Sequence, residues 1–532
     1  MSSIASAQVA LDSKPLSDSS ALVAPSLLEK ELRKIEILGN TQVSSAVLSA
    51  AVQSFIGKKI SASDVEEMRV ILTKVYVDAG YINSGAVFVM PTDRQTDRLQ
   101  FQIVEGRLLE VRVKGQQDLN PRYLETRLRA ADEVLNMNLL RERFQLLLQD
   151  PLFERIQSRL LPSGKLEEAV LDLEVTRKPS YSWSIFANNY RTPAIGEAVL
   201  GGAFTARNLT GNGDSVDLQI AKSSGAAPYH LAWNLPLPQP EQALSLSWDR
   251  GRSAVVEAPL DTVDIHSRTS ALEMKWTYAV VNQLARRLDL AASFVHKFTH
   301  NSLLGEDFSF SPGEVNGRSS VQALKLSQDW SERAEQFGWL ARSQFVVGKT
   351  HALPIDDASA SPSGNTSFQN DVPRQHYLLW NGQVNYLRPI SSWGANFLLR
   401  GQWQWSNAKL LPMEKASLGG SATVRGVRES SLLRDQMQLL SFELQKNFSG
   451  LSENSRNLQL TPLIFVDAGR AQNKGEAWQN LSSYGFGLRL QNGAWQAELT
   501  KARQLHKSLN ISAEKSALQD SGVQMQVMYK FN

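Results

Sequence analysis

Residues 523–532, the last ten of the sequence, read VQMQVMYKFN. Every odd-numbered position in this stretch is apolar, whereas Gln524, Gln526 and Lys530 are polar. Alternation with a period of two is typical of a β-strand that has one apolar face. Such a strand is either the half-buried edge of a soluble sheet or the strand that closes a membrane barrel by pairing with the first one. The rest of the sequence has to distinguish these two structures.

The same alternation occurs in 16 segments, which begin with YSWSIFANNY at residues 181–190. Residues 178–532 number 355, so each strand with its connection takes about 22 residues, which suits strands of ~9–11 residues plus loops. Long connections follow the fifth, seventh, ninth and eleventh segments, and short ones such as the Asn492-Gly493 turn lie between them. A β-sandwich does not sort its loops in this way. The pattern predicts a mainly β chain with a 16-stranded antiparallel transmembrane β-barrel over residues 179–532 and with Tyr529 and Phe531 in its aromatic girdle.

Residues 28–178 mix the helical and the strand periods. The order strand, helix, helix, strand, strand occurs twice, which predicts an α+β part with two βααββ domains at residues 28–106 and 107–178. Residues 1–27 are expected to be a tail or linker. The small-x-small form of Ala5-Ser6-Ala7 makes a remnant of a signal segment one interpretation of the tail, and a short plug is another.

The segment from Ser61 to Tyr81 predicts the main helix of the first domain. Ser63 with Glu66 three residues later forms a capping box at the start, and Gly80 is placed to end the helix. One face of this helix is apolar and carries Val65, Met68, Leu72, Val75 and Tyr76.

Composition excludes several classes of function. The 56 basic and 53 acidic residues give a net charge of +3, so no nucleic-acid partner is expected. The chain has no cysteine, which removes disulfides, thiol catalysis and thiolate metal sites. No nucleotide-binding motif is present, because FIGKKIS at residues 55–61 lacks the glycine spacing of a phosphate loop. We therefore expect no cofactor and no metal.

A candidate site lies late in the sequence. The connection after the eleventh segment, which is the sixth loop on the side of the long connections, contains LGGSATVRGVRESS, and 42 residues after Arg425 the thirteenth strand reads PLIFVDAGR. On that strand Asp467 shares a face with Phe465 and Gly469, and this face should point into the lumen. A carboxylate there is costly unless a cation meets it, and an arginine on an infolded loop can do so in bidentate geometry. The residue types alone favour a plainer arrangement, in which Arg425 and Asp467 are separate, hydrated side chains.

These motifs resemble a known superfamily. VRG in the sixth outer loop followed by F-x-D-x-G is similar to the signature of the outer-membrane proteins that combine POTRA domains with a barrel, which include BamA-type insertases and two-partner secretion translocators of the FhaC/ShlB type. The resemblance implies that the loop arginine pairs with the strand aspartate. The matching positions are Val424, Arg425, Gly426, Phe465, Asp467 and Gly469. The N-terminal part resembles POTRA modules at Leu72, Tyr76, Gly80, Tyr81, Glu105 and Gly106.

The resemblance implies a function in protein transport. Two POTRA modules before a 16-stranded barrel match the two-partner secretion plan, in which periplasmic POTRA domains capture an exoprotein that then passes outward through the barrel in the bacterial outer membrane. The implied partners are a secreted adhesin, cytolysin, contact-dependent toxin or haem-scavenging protein, together with outer-membrane lipid and the barrel assembly machinery. Two positions depart from the family pattern, since Val427 replaces an aromatic residue after VRG and Asn532 follows the terminal aromatic residue.

Three other functions of an outer-membrane barrel fit the sequence less well than transport. A general barrel insertase of the BamA type would act on many clients and usually carries more POTRA modules. A passive porin has no use for such modules. An outer-membrane enzyme needs a catalytic constellation, but the seven histidines are dispersed and His296 with His300 lacks the acidic residue of HExxH. We therefore expect no catalytic residues.

Overall fold

The chain forms two compact units, Met1–Lys178 and Pro179–Asn532. The computed structural model describes residues 31–90, 97–129, 133–164, 167–350, 373–449, 458–505 and 517–531. The tail expected at residues 1–27 lies outside these ranges. Across the described ranges, no helix is both long and apolar enough to cross a membrane.

The N-terminal unit consists of two successive βααββ modules, as the sequence predicts. The first module contains β1 (Lys34–Leu38), α1 (Ser45–Val52), a 3-10 turn (Gln53–Phe55), α2 (Ala62–Asp78), β2 (Gly85–Val89) and β3 (Arg98–Val104). The second contains β4 (Arg107–Lys114), α3 (Pro121–Leu128), α4 (Met137–Leu147), β5 (Phe153–Pro162) and β6 (Glu168–Arg177). Each module has a three-stranded sheet, in the order β1-β3-β2 or β4-β6-β5, whose first strand runs parallel to the central one.

Helix α2 begins two residues earlier than its sequence indicates. Ser61 is the N-cap and forms the capping box with Asp64, so the prediction of a box from Ser63 and Glu66 was wrong. Two such motifs overlap in SASDVEE, and the chain enters the helix at Ala62, which leaves Glu66 free to bind Arg69 at 2.5 Å. The predicted apolar stripe packs into the module, with Val65, Met68, Leu72 and Tyr76 buried.

The C-terminal unit is a closed antiparallel barrel of 16 strands, which confirms the predicted architecture. Its strands, numbered here as barrel strands 1 to 16, are Tyr181–Asn188, Val199–Arg207, Ser215–Lys222, Tyr229–Pro236, Gln242–Ala254, Ile265–Asn282, Arg286–Leu303, Arg318–Arg333, Gly338–Thr350, His376–Ile390, Ala395–Ser406, Gln436–Lys446, Leu458–Gln472, Gln479–Asn492, Trp495–Gln504 and Val523–Phe531. Several strands exceed the expected ~9–11 residues. Barrel strands 6 and 7 have 18 residues each, because their pairing continues into segments that the sequence suggested were loops.

The last strand closes the barrel and has the two faces that its sequence predicts. It pairs with barrel strand 1 from Gln526 opposite Asn188 to Phe531 opposite Trp183. Met525, Val527 and Phe531 point outward and are exposed, whereas Gln524 is buried on the inner side. Tyr529 and Phe531 contact each other and Tyr529 contacts Trp495, all at the end of the barrel that carries the short turns.

The long connections lie together at the other end of the barrel. Four connections at this end are named loop 1 (residues 189–198), loop 3 (255–264), loop 6 (407–435) and loop 8, of which the structure describes residues 505 and 517–522. Loop 6 contains a 3-10 turn, Pro412–Glu414, and two short paired strands, Ala416–Leu418 and Leu432–Arg434. Each of the other three named loops contains a 3-10 turn. These turns are Pro193–Ile195 in loop 1, Leu260–Val263 in loop 3 and Leu518–Ser521 in loop 8.

Candidate functional site

Loop 6 folds into the barrel and packs on two separate parts of its inner wall. Its first leg contributes Ala408, Leu410 and Leu411 to an apolar cluster with inward side chains of barrel strands 7 to 10. Its second leg forms another cluster with barrel strands 12 to 14, which includes Leu418, Val424, Val427, Met437, Leu439, Ala471 and Leu481. Buried apolar contact of this kind explains why so long a connection is ordered inside a lumen whose wall is otherwise polar.

Arg425 lies at the centre of the second contact. Its Nε donates to Asp467 Oδ2 at 2.8 Å and its Nη2 donates to Asp467 Oδ1 at 2.9 Å, which is the bidentate geometry of a guanidinium on a carboxylate. Its backbone N–H donates to Asp467 Oδ2 at 3.0 Å. Both side chains are buried, with Asp467 fully inaccessible. Loop 6 is therefore joined to barrel strand 13 through backbone and side chain together.

A second carboxylate completes the arrangement. Arg425 Nη1 donates to Glu443 Oε2 at 2.5 Å, and the other oxygen of Glu443 accepts from Arg489 Nη1 at 2.7 Å. Ser441 donates its hydroxyl to Asp467 Oδ1 at 2.6 Å. Arg489 also pairs with Glu498 at 3.2 Å. Positive and negative groups thus alternate across barrel strands 12 to 15, and alternation of this kind offsets the desolvation cost of burying the charges.

The guanidinium of Arg425 also stacks on an aromatic ring. Its Cζ lies 3.5 Å from the centroid of the Phe465 ring, which shares the inward face of barrel strand 13 with Asp467. Planar stacking on a ring and fork geometry are both properties of the guanidinium that the lysine ammonium lacks. Because Phe465 fixes the plane of the guanidinium and Asp467 fixes its direction, the site selects arginine specifically.

The glycines and valines of the two motifs provide the close approach. Gly426 has φ of +79°, and a Cβ placed on it would lie 2.5 Å from the Cβ of Ala502. A Cβ on Gly469 would lie 2.7 Å from Leu418 Cδ1. Val424 and Val427 are both buried in the second-leg cluster, so at the position where the family often has an aromatic ring this chain has an aliphatic side chain packed in the same interior.

Several polar and charged residues of the site were missed from the sequence. Ser441 and Glu443 occupy the inward face of barrel strand 12, directly opposite Asp467 and Phe465 in the register. The alternation in SFELQK, with Phe442 and Leu444 outward, was a signal that could have identified them. Arg489 lies on barrel strand 14, where the alternation in FGLRLQ, with Phe486 and Leu488 outward, gives the same signal.

The POTRA-like motif residues lie in the first module, around the segment that joins it to the second. Leu72 and Tyr76 are fully buried in the core of the first module. Glu105 accepts from the Tyr76 hydroxyl at 2.8 Å and from the backbone N–H groups of Thr41 and Gln42 at 2.6 and 2.9 Å. Burial by itself raises the pKa of Glu105, but these hydrogen bonds outweigh it and hold the pKa below the ordinary value.

Gly80 and Gly106 form the joint between the two modules. The Gly80 carbonyl accepts from Met137 N at 2.8 Å, and the Gly106 carbonyl accepts from Leu135 N at 2.8 Å. Asn136, the N-cap of α4, donates its amide to the Ala79 carbonyl at 3.2 Å. The carboxyl end of α2 therefore meets the amino end of α4, an arrangement that favourably aligns the two helix dipoles.

Tyr81 and the residues that follow it extend the same joint. The Tyr81 ring contacts that of Tyr76 at a centroid distance of 5.9 Å, and its hydroxyl donates to Gln42 Oε1 at 3.3 Å. Ile82 packs against the core of the second module. A Cβ on Gly106 would lie 2.3 Å from Asn83 Nδ2, so this position requires glycine.

The described residues contain no group of three or more His, Asp or Glu side chains arranged to hold a metal ion. Three histidines each pair with one aspartate. These pairs are His230 with Asp249, His266 with Asp264, and His300 with Asp307.

Comparison with known proteins identifies the family. The family model described as haemolysin secretion/activation protein ShlB/FhaC/HecB matches residues 167–490. The chain belongs to this family. A model of the ShlB-type POTRA domain matches residues 31–106, which are the first βααββ module. Members of the family are two-partner secretion transporters of the outer membrane, so this chain is an outer-membrane transporter with its POTRA region in the periplasm.

Curated relatives and solved structures agree with the family. The outer membrane transporter CdiB of Dickeya dadantii is 22% identical over 431 residues, which cover 78% of this chain and 71% of the relative. The heme/hemopexin transporter protein HuxB of Haemophilus influenzae is 20% identical over 512 residues, covering 91% and 85%. The structure of CdiB from Escherichia coli superimposes with a TM-score of 0.70 at 17% identity and covers 97% of this chain and 93% of that one.

The insertase alternative is less well supported. The structure of BamA from Haemophilus ducreyi lacking POTRA domains 1–3 has a TM-score of 0.54 at 14% identity and covers 94% of this chain and 100% of that one. This likeness shows a shared fold. The family match distinguishes the translocator from the insertase and favours the translocator.

Proposed function

We propose that this transporter secretes one partner exoprotein and that the Arg425–Asp467 pair holds loop 6 in the lumen between transport events. The observation that carries this proposal is the buried bidentate contact between a loop arginine and a strand aspartate, 42 residues apart in sequence. Loop 6 also reaches the far wall, where Lys297 pairs with Glu414 at 2.7 Å. A client chain in the lumen has to share this space with loop 6, so the contacts that position the loop control the path.

We also propose that the second module (residues 107–178) is a POTRA domain and that the two modules capture the client in extended form. The modules repeat the same element order and sheet order, although only the first is matched by the POTRA model. Strands β2 and β5 lie at sheet edges. An extended client can add a strand to such an edge through main-chain hydrogen bonds, which give affinity without demanding one sequence.

We propose four candidate classes of client. One relative is named as a heme/hemopexin transporter, which makes a haem-scavenging protein one candidate client. An adhesin, a cytolysin and a contact-dependent toxin are the others.

We propose that transport requires no catalysis and no cofactor, and that folding of the client outside the cell drives it. Outer-membrane lipid contacts the apolar outer face, and the barrel assembly machinery inserts the barrel.

The test is secretion of the exoprotein encoded beside this chain. Cells carry the wild type, Arg425→Ala or a deletion of residues 30–178, and heat-modifiable gel mobility identifies folded barrels. We expect the client in the medium only with the wild type, while all three barrels fold. Secretion by the Arg425→Ala variant at the wild-type level would remove the proposed role of the pair. Loss of other outer-membrane proteins with normal client secretion would instead support an insertase.

A further inference from the structure

A second arginine of loop 6 also binds two carboxylates. Arg428 lies three residues after Arg425, and its Nη1 donates to Glu257 Oε1 at 2.7 Å. Its Nη2 donates to Asp520 Oδ2 at 2.7 Å, and its Nε donates to the other oxygen of Asp520. Asp520 is almost completely buried, and Arg428 and Glu257 are largely buried. One guanidinium thus bridges two carboxylates that come from different loops.

The two carboxylates place Arg428 at a junction of loops. Glu257 belongs to loop 3 and Asp520 to loop 8, so Arg428 joins three connections at the same end of the barrel. Arg425, in contrast, binds only side chains of the barrel wall. The two arginines therefore hold loop 6 to different partners, one deep in the lumen and one among the loops.

Loop 8 is itself fixed to loop 6 and to loop 1. Gln519, next to Asp520, is fully buried and accepts from the Glu429 backbone N–H at 2.8 Å. Its amide donates to the carbonyls of Asn189 and Arg191, both at 2.6 Å. Loop 8 therefore connects loop 6 with the chain that follows barrel strand 1.

This connection lies at the seam where barrel strands 16 and 1 meet. Their regular pairing ends at Gln526 opposite Asn188. Beyond it the Asn189 backbone N–H donates to Met525 O at 3.2 Å, and the Asn189 side chain adds two contacts, since its Oδ1 accepts from Met525 N at 2.8 Å and its Nδ2 donates to Val523 O at 2.9 Å. The outer end of the seam is thus closed by Asn189, whose carbonyl accepts from the Gln519 amide.

We propose that Arg428 is a second positioning residue for loop 6, which acts through Glu257 and Asp520 and couples the docked loop to the outer end of the seam between the first and last barrel strands. The inference rests on the proposed function, in which the position of loop 6 controls the path through the lumen. Loss of Arg428 should loosen loop 6 even while Arg425 and Asp467 remain paired.

Thiol labelling can measure the position of loop 6 without any secretion assay. The chain has no cysteine, so Val427→Cys introduces a single thiol at a site that is buried under the docked loop. Cysteine behaves as a small apolar residue there, and a maleimide reaches it only when the loop opens. Ala422→Cys, at an exposed position of the same loop, controls for reagent access. Labelling is scored on the folded, heat-modifiable band of the full-length protein in outer membranes.

We expect Arg428→Ala to raise the labelling rate of Cys at position 427 by at least about tenfold, the factor that corresponds to about 1.4 kcal/mol. Arg374→Ala, which truncates an exposed arginine of another loop, should leave the rate unchanged. The combined variant Glu257→Gln/Asp520→Asn keeps the arginine and should raise the rate as Arg428→Ala does. It also serves as the test if Arg428→Ala fails to fold.

A double-mutant cycle separates this role from a general structural one. If Arg428 acts through its two carboxylates, Arg428→Ala adds less than about twofold in the Glu257→Gln/Asp520→Asn background. An unchanged labelling rate in Arg428→Ala, or effects that simply multiply, would overturn the proposal. Client secretion is measured in parallel. Normal secretion by Arg425→Ala with fast labelling of Arg428→Ala would reject the proposed function and leave this inference standing.

Discussion

Replacing Arg425 with alanine removes the guanidinium from two buried carboxylates. Asp467 loses two side-chain hydrogen bonds and Glu443 loses one. Asp467 keeps the hydroxyl of Ser441 and the backbone N–H of residue 425, and Glu443 keeps Arg489. Breaking a buried pair from one side costs about 3–5 kcal/mol, because an uncompensated charge is left behind.

The substitution therefore destabilises the docked state of loop 6 and leaves the stability of the barrel unchanged. The strands are joined by continuous backbone ladders in which the Arg425 side chain takes no part. A loss of about 3–5 kcal/mol corresponds to a factor of roughly 10² to 4 × 10³ in the docking equilibrium. We expect labelling of Cys at position 427 to accelerate by that factor in Arg425→Ala, while the barrel keeps its heat-modifiable mobility.

Two further variants make the assay specific. Arg425→Lys keeps the charge but loses the fork and the stacking on Phe465, so its labelling rate should fall between those of wild type and Arg425→Ala. Arg374→Ala, in an exposed part of another loop, should label at the wild-type rate. The reasoning is refuted if Arg425→Ala labels within about twofold of the wild type, since differences of that size lie within ordinary additivity error.

Three other expectations follow from the described contacts. Gly426→Ala should weaken loop docking by about 1–3 kcal/mol, because the residue adopts a positive φ and its Cβ meets Ala502, and faster labelling at position 427 checks this. Asn136→Ala should cost about 0.5–2 kcal/mol as a lost N-cap and should raise hydrogen exchange at the start of α4, whereas unchanged exchange would argue against a fixed joint between the modules. The lowered pKa of Glu105 means that its stabilising contribution is present above its ordinary value of 4.5 and is lost as the pH falls through the lower folded-state value. Exchange protection of the Thr41 amide should therefore fall on acidification below that range in the wild type, and it should be weak and independent of pH in Glu105→Gln.

The strand pattern could be predicted from the sequence because it is local. Period-two alternation is visible within eight or ten residues, and the two faces of the last strand are those that the sequence predicts, with Met525 outward and Gln524 inward. The start of α2 was less certain, because Ser61 with Asp64 and Ser63 with Glu66 both fit a capping box. A choice between overlapping motifs depends on how the preceding chain packs, and that information is not local.

The candidate site was predictable only in part. Arg425 and Asp467 were singled out by their motifs, whereas Glu443 required the register between barrel strands 12 and 13, which an intervening connection of unknown geometry conceals. Arg428 meets Glu257 and Asp520 across sequence separations of 171 and 92 residues. No periodicity relates loop residues so far apart, so contacts of this kind emerge only from the closed barrel.

The central claim is that a client exoprotein passes outward through the lumen of this barrel. The most direct test places a photo-crosslinking residue at Ser247, on the inward face of barrel strand 5, and at the exposed outward neighbour Leu246 as the matched control. Cells export a client that is stalled by a folded domain at its trailing end. We predict crosslinks from position 247 to the stalled client and none from position 246. Crosslinks from neither position, with the client still reaching the surface, would contradict the claim.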